Sequence, residues 1–248
     1  MKGAHYMDVP SKIPLDTEAG VISELFVEHA FEDVLSRSDD REQMAAVGVV
    51  AAALGLSGPS AGMAVMSSEG GAEPVVRVRF MLGDLSVSAL LWNWPFREGQ
   101  SVRVVGKRWP DGTFFAISVL DEDERLIVSY PHVTAGSTSH WLRVFWISLA
   151  ISVVWWGGAA VLATAFVWDV KSDSKFEVIS GACIAGASIF GVIGWRIGRR
   201  LSGFARMADR VFTALDWRDP TKINLRSGKF AQALKGDSSG VGDTYFRY

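Results

Sequence analysis

The stretch that decides the fold is VFWISLAISVVWWGGAAVLATAFVW, residues 144–168. It contains 25 residues without a single charged side chain, and Arg143 and Asp169 bound it. As a helix it would be ~37 Å long, which is enough to cross the hydrocarbon core of a bilayer with some tilt. A buried helix of a soluble protein is the alternative, but an ordinary core helix is shorter and less apolar. The stretch therefore predicts a transmembrane helix over 144–168.

A second uncharged stretch, VISGACIAGASIFGVIGW, begins at Val178, and nine residues separate it from the first. It predicts a second span over 178–197, joined to the first by the short charged loop 169–177. The first span has 11 Leu, Ile, Val or Phe residues between 144 and 168, and the second has 7 between 178 and 195. At about −0.5 kcal/mol each, insertion contributes about −5 and −3.5 kcal/mol, so the second span is the weaker one.

Small residues recur four apart in the second span, and this spacing lets two helices approach closely. They predict a helix-packing surface, against the first span or in a homo-oligomer, made of Gly181, Ala185, Gly186, Gly191, Gly194 and Gly198. Frequent glycine in membrane helices is the plainer explanation of the same pattern.

Tryptophan and arginine mark the ends of the spans, and both anchor a protein at a membrane surface. The predicted membrane-anchoring residues are Trp141, Trp168, Trp195, Arg196, Arg199 and Arg200. Because basic flanks stay on the cytoplasmic side, we expect a multi-pass inner-membrane protein with both termini in the cytoplasm and 169–177 in the periplasm. Residues 200–217 predict an amphipathic helix, lying at the interface or packed on the soluble domain, and 218–248 a C-terminal tail.

The front half predicts an α+β membrane protein whose soluble part is a small β-barrel. After an arm over 1–19, short β-rich runs with tight turns fill residues 20–130, including the hairpin turn Gly83-Asp84 and the turn Pro110-Asp111-Gly112. Five or six such strands fit an OB-like or an SH3-like barrel, and the sequence leaves both open. An Ala/Gly-rich helical insert over 41–67 packs on the barrel or dips into the near leaflet, and 131–143 is a linker.

Charge is distributed unevenly along the chain. Residues 1–140 have 11 Lys or Arg and 19 Asp or Glu, and residues 196–248 have 11 and 5. The acidic front half argues against nucleic acid as a partner, since phosphate contacts need positive surface. The basic region after the spans indicates anionic lipid headgroups. The single Cys183 excludes an intramolecular disulfide, and the polar N-terminus predicts no cleavable signal peptide.

The sequence offers no recognisable catalytic constellation. It lacks a nucleophile elbow, a phosphate loop and a His-Glu-x-x-His motif, and His132 and His140 are too widely spaced to predict a metal site. The acidic run 121–124 lacks the spacing of a calcium loop and predicts a solvated turn. We therefore expect no enzyme, cofactor or metal. Four aromatic residues, either exposed partner anchors or barrel-end packing, are the remaining candidates: Trp92, Trp94, Phe96 and Trp109.

Three short motifs carry a resemblance to a known family. The runs LWNWPFREG (91–99), VRVV (102–105) and YPH (130–132), the last ahead of a Trp-rich span, resemble bacterial membrane proteins grouped as type VI secretion system effectors. The likeness covers most of residues 20–215. It implies a role in contact-dependent bacterial competition, as an effector or as an immunity protein facing a cognate toxin or a secretion-system protein. It supplies no catalytic residues. The alternative is a membrane-tethered OB-like scaffold or regulator of a membrane assembly.

Overall fold

The computed structural model of the chain describes residues 14–32, 73–166, 172–227 and 240–248. They form a barrel unit, over 16–131 and 240–248, and a helical unit over 132–227. The predicted insert 41–67 lies outside the described residues, as do most of the predicted arm and Trp168. The strands are β1 (Asp16–Glu32), β2 (Glu73–Leu82), β3 (Leu85–Leu91), β4 (Ser101–Arg108), β5 (Phe114–Asp121), β6 (Leu126–Ser129) and β7 (Tyr245–Arg247). The helices are α1 (Ser137–Phe166), α2 (Ser172–Ala214) and a 3-10 turn, Pro220–Lys222.

Five strands close into a barrel, which confirms the predicted small β-barrel. The pairs β1–β2, β2–β3, β1–β4 and β4–β5 are antiparallel, and a parallel pairing of β3 with β5 closes the sheet. The spatial order β4-β1-β2-β3 is that of a Greek key, because the fourth strand lies beside the first. The strands enclose one apolar core, and the ladder around it is continuous except at residues 26–32 of β1, which pair with β2 alone among the described strands.

Alternation of apolar side chains explains why these segments are strands. In β2, β3, β4 and β5 the inward positions are almost fully buried, and the largest buried side chains include Phe114, Leu91, Val78 and Ile22. The predicted turn at Gly83 has φ +60°, as the first central position of a type II′ hairpin turn requires. Gly106 lies at a bulge in β4, where a Cβ would overlap the carbonyl oxygen of Phe115.

Strand β1 is longer than the sequence indicates and serves two partners in succession. Residues Asp16–Val21 pair with β4, whereas residues Ile22–Glu32 pair with β2. A register shift between Ser23 and Phe26, with Glu24 at φ +50°, separates the two halves. The strand therefore begins at Asp16, inside the predicted arm 1–19.

The C-terminal residues belong to the sheet, whereas the sequence predicts a tail from 218 onward. Strand β7 pairs with β6, and its Tyr245 and Phe246 are buried. The last residue is fixed as well, because the Tyr248 amide donates to the Arg125 carbonyl at 2.9 Å. Two buried aromatic rings and a short ladder thus hold the chain end on the barrel.

The helical unit consists of two long antiparallel helices. Helix α1 begins at Ser137, inside the predicted linker 131–143. Helix α2 is continuous over 43 residues, where the sequence predicts part of the loop 169–177, the span 178–197 and a separate amphipathic helix 200–217. Helices keep their backbone groups bonded whether they lie in water or in lipid, so one helix can pass from one medium to the other without a break.

Candidate membrane-binding surface

Helix α1 exposes apolar side chains around most of its circumference. The segment Ser137–Gly158 is long and apolar enough to cross a membrane by length and composition, and only 6% of its apolar window is buried. Val154 is 76% exposed. The other exposed large apolar residues of this segment are Trp141, Leu142, Phe145, Trp146, Ile147, Leu149, Ile151, Val153 and Trp155. A helix that is apolar all round needs either a protein core or lipid around it, and the described residues leave this one largely uncovered.

Helix α2 exposes apolar residues too, but less densely. They are Ile184, Ile189, Val192, Ile193, Trp195 and Ile197. Within the described part of the chain, α1 is the one helix that meets the criterion of length and composition for a span. Glycine and serine dilute the apolar content of α2, and its arginines follow directly. The structure supports one spanning segment, so the predicted pair of spans and the multi-pass arrangement are not established by it.

Three of the predicted helix-packing glycines face α1. Gly186 lies against the Trp156 ring, Gly194 against Ser148, and Gly198 against Trp141, whose ring would be 2.9 Å from a Cβ at that position.

These contact positions fall on one stripe with a spacing of four or eight residues. Phe190 lies on the same stripe and meets the Trp155 ring edge-on at 5.8 Å. Gly181 and Gly191 point away from α1, since a Cβ on either would have nothing within 4 Å. The side chain of Ala185 lies outside the described residues.

Apart from Trp168, which lies outside the described residues, the predicted anchoring residues lie near one end of the helix pair. Trp141 packs at Gly198, and Trp195 lies one turn away on α2. The Arg199 guanidinium is 5.4 Å from the centre of the Trp195 ring, a cation–π distance. Arg196, Arg199 and Arg200 are all exposed. Exposed apolar surface ends here and exposed positive charge begins, as at a bilayer interface.

Polar contacts join the start of α1 to the C-terminal half of α2. The His140 ring donates from Nε2 to the Gly198 carbonyl at 2.9 Å, since a carbonyl oxygen only accepts. The Ser137 amide at the start of α1 donates to Asp209 Oδ1 of α2 at 2.8 Å. A carboxylate at a helix N-terminus stabilises the first turn, because it accepts a hydrogen bond from a free amide and its negative charge lies at the positive end of the helix dipole.

The apolar stripe of the predicted amphipathic helix is covered by protein. Phe204, Ala208 and Val211 are buried, and the Phe204 ring lies 5.4 Å from the His132 ring. A lipid-facing position at the interface, one of the two sequence predictions, does not fit this burial. Arg210 lies on the same part of α2, and its removal from water by burial lowers its pKa.

The barrel-end aromatic residues pack on the barrel more than they protrude from it. Phe96 is buried, and Trp94 lies between Phe96 at 5.1 Å and Phe80 at 5.3 Å, measured between ring centroids. Trp92 is half-buried. Trp109 is 41% exposed and lies 6.4 Å from the Phe115 ring, so it is the aromatic of the four that is available as a partner anchor.

The acidic turn differs from the solvated turn that the sequence predicts. Asp121 is buried, and its carboxylate accepts hydrogen bonds from the Asp123 amide (2.8 Å), the Glu124 amide (2.9 Å) and the Gln100 side chain. Sequence reasoning missed this anchor because three more acidic residues surround it. No group of three or more His, Cys, Asp or Glu side chains arranged to hold a metal occurs in the described ranges.

Comparison of the chain with protein-family models, curated proteins and solved structures gave no match. The functional interpretation therefore depends on the geometry of the chain itself and on the sequence resemblance.

Proposed function

We propose that the chain is a non-enzymatic, membrane-anchored binding protein. The observation that supports it is the exposed apolar surface of α1, 22 residues long and almost unburied. In this proposal α1 spans the bilayer and α2 inserts along it through the Gly186, Gly194 and Gly198 stripe. The length from Leu142 to Phe166 is ~37 Å as a helix, longer than the ~30 Å hydrocarbon core.

We further propose an inner-membrane topology with both termini in the cytoplasm. Five arginines lie between Arg196 and Arg210, against a net charge of −1 in the predicted loop 169–177. Each basic residue near an anionic leaflet contributes about 1 kcal/mol, so the arginine cluster fixes the orientation. The barrel would then lie in the cytoplasm, where it can bind a soluble partner.

The specific role that the sequence motifs favour is in interbacterial competition, as an immunity protein or membrane-acting effector of a type VI secretion system. Deleting the gene discriminates these roles. A mutant that becomes sensitive to its sibling cells lacks immunity, whereas a mutant that only fails to kill competitors lacks an effector. Normal survival and normal killing would count against both roles.

The barrel favours a second candidate, a membrane-tethered scaffold or regulator of a membrane assembly. A five-stranded Greek-key barrel is the description of an OB-fold, so of the two predicted barrel types the OB-like one fits the strand order. OB-like barrels serve mainly as binding modules. Stable co-purification of a membrane protease or scaffold protein with the full chain would support this role, and recovery of a toxin alone would contradict it.

Cysteine labelling tests the membrane arrangement. With Cys183 replaced by Ala, a cysteine at Ser172 should react with a membrane-impermeant maleimide in intact spheroplasts. A cysteine at the exposed Asp111 of the barrel should react only after lysis. Labelling of Asp111→Cys but not Ser172→Cys in intact spheroplasts would invert the topology, and labelling of both would mean that the helices do not separate two compartments.

A further inference from the structure

The second half of β1 is an edge strand with an unusual surface. Residues 26–32 pair with β2 on one side, and on the other side they pair with no strand among the described residues. Apolar side chains are exposed on both faces of this segment: Phe26, which has the Arg79 guanidinium 5.0 Å from its ring centre, is 51% exposed, and Phe31 is 76% exposed. Exposed edges of this kind, with apolar side chains, are templates for pairing with another strand.

We propose that this edge pairs with the same edge of a second copy of the chain, antiparallel, around a twofold axis at His29. An isologous contact of this kind places one position of the strand opposite itself. Side chains that face each other across an antiparallel pair point to the same face of the sheet. The choice of central residue therefore decides which side chains meet.

Charge and access to the edge together select the central residue. A twofold axis at Glu28 would place that carboxylate opposite its own copy, and an axis at Ala30 would place Glu28 opposite Glu32. Like charges directly opposite are destabilising in a sheet. An axis at Val27 would place Ala30 opposite Glu24, whose amide already donates to Glu98 Oε1 at 2.8 Å. An axis at Phe31 would pair only residues 30–32 of the described strand. An axis at His29 meets none of these obstacles.

The His29 register also matches apolar residues on one face of the sheet. On that face Val27 meets Phe31 of the second copy, on both sides of the axis. On the other face Glu28 meets Ala30 and Glu32 meets Phe26. Arg77 of β2 contacts both glutamates within its own chain, at 3.8 Å from Glu28, so the carboxylates do not need a partner across the axis. The two His29 rings would face each other at the axis, where a ring nitrogen of one can donate a hydrogen bond to a ring nitrogen of the other.

A seven-residue edge is a small interface. Stable interfaces between free proteins bury at least ~1,000 Å² with good complementarity, more than one short strand pair supplies. Anchoring both copies in one membrane raises their effective concentration, and this part of the inference depends on the proposed function. We therefore expect dimers at the membrane.

Register-specific disulfides test the pairing. The full chain with Cys183→Ala is reconstituted in vesicles and oxidised with copper phenanthroline. His29→Cys should cross-link to itself, because cysteines facing each other across an antiparallel pair are ~5 Å apart and a disulfide needs 4.4–6.8 Å between Cα atoms. Val27→Cys alone and Phe31→Cys alone should not, since four residues of strand separate the symmetry copies by ~13 Å. A mixture of these two variants, one with a size tag, should give the tagged heterodimer.

Introducing a charge of either sign at position 30 gives a second readout. Ala30→Lys places a positive charge opposite Glu28 of the second copy and Ala30→Glu places a negative one. At about 0.2–1 kcal/mol per cross-strand pair and two pairs per dimer, His29→Cys cross-linking should rise or fall by about 2- to 30-fold. Equal effects of both variants would overturn the assigned register.

The remaining outcomes are also decisive. Equal cross-linking of all three single cysteines would mean random collision, and none in any variant would overturn the pairing. A His29→Cys thiol protected from maleimide in a protein that forms no dimer would mean that another segment or partner covers the edge. Co-flotation with the vesicles is scored separately, so failure of membrane anchoring is distinguished from failure of strand pairing.

Discussion

The barrel and the helix pair place their apolar residues in opposite directions. In the barrel, residues such as Val78, Val104 and Phe114 are buried, and arginines and glutamates form pairs on the outside. In the helices, Trp146 and Val154 are exposed while the small Gly186 and Gly194 lie inside. Burial of apolar surface drives folding only where the surrounding medium is water. This difference is the basis for the proposal that the two units are built for two solvents.

The largest effect expected in the barrel is from Gly106→Ala. A Cβ at this bulge would lie 2.8 Å from Ala116 Cα and overlap the Phe115 carbonyl oxygen, so β4 and β5 must separate. We expect a loss of more than ~3 kcal/mol in the free energy of unfolding, measured by urea titration of the full chain in detergent.

Gly112→Ala is the matched control, because the position has φ +88° but open space around it. It should cost only about 1 kcal/mol of backbone strain. Equal losses for the two variants would show that the bulge is not a close contact.

Asp121→Ala should have the next largest effect. It leaves the Asp123 and Glu124 amides and the Gln100 side chain without their acceptor, in a buried site. Unmade buried hydrogen bonds cost about 1–3 kcal/mol each, so we expect about 2–4 kcal/mol in the same urea titration after partial rescue by water. Asp123→Ala, in the same turn but exposed, should change stability by less than about 0.5 kcal/mol. The opposite ranking would contradict the structure of the turn.

Local patterns predict only the parts of this site and fold that local forces determine. The strands follow from period-two alternation and from the turns at Gly83 and Gly112, and α1 follows from its uncharged run. Strand β7 has three residues and gains its stability from β6, more than a hundred residues earlier, so no local pattern marks it. Asp121 looks solvated beside three other acids until the fold buries it.

The continuity of α2 cannot be predicted from the sequence, because charged residues near its start are typical of a loop. The sequence near Asp173 and Lys175 reads as a polar loop, yet it forms the first turns of α2. The sequence predicts an amphipathic helix over 200–217, but whether lipid or protein covers its apolar side depends on tertiary contacts. Gly194 and Gly191 illustrate the same limit, because sequence spacing does not decide which glycines face the neighbouring helix.

The two faces of α2 can be compared directly by substitution. Gly194→Leu inserts a side chain where Ser148 of α1 lies, whereas Gly191→Leu points into open space. We expect Gly194→Leu to destabilise the helix pair by about 1–3 kcal/mol, the typical cost of overpacking, and Gly191→Leu by much less. Denaturant titration of the full chain in detergent, followed by helical circular dichroism, measures both losses. Equal losses for the two variants would contradict the assigned contact face.

The smallest effect expected is a change in the pH dependence of stability above pH 10, caused by Tyr248 at the end of the barrel. Burial, followed by the negative charge of Glu122, raises the pKa of the Tyr248 hydroxyl above its usual value near 10. Its contribution to stability is present below pH 10, where both states are protonated, and is lost as the pH rises through the folded pKa. Tyr248→Phe should therefore lose stability less steeply than the native chain above pH 10. Parallel curves of melting temperature against pH would contradict this assignment.

The most direct test of the two-solvent account is the medium around Val154. With Cys183→Ala, a nitroxide label at Val154→Cys is measured in vesicles by power-saturation electron paramagnetic resonance, and Asp111→Cys on the barrel is the control. If α1 lies in lipid, position 154 should be highly accessible to oxygen and poorly accessible to a water-soluble nickel reagent, and position 111 the reverse. High accessibility of position 154 to the nickel reagent would show that α1 lies in water and would contradict the proposed membrane span.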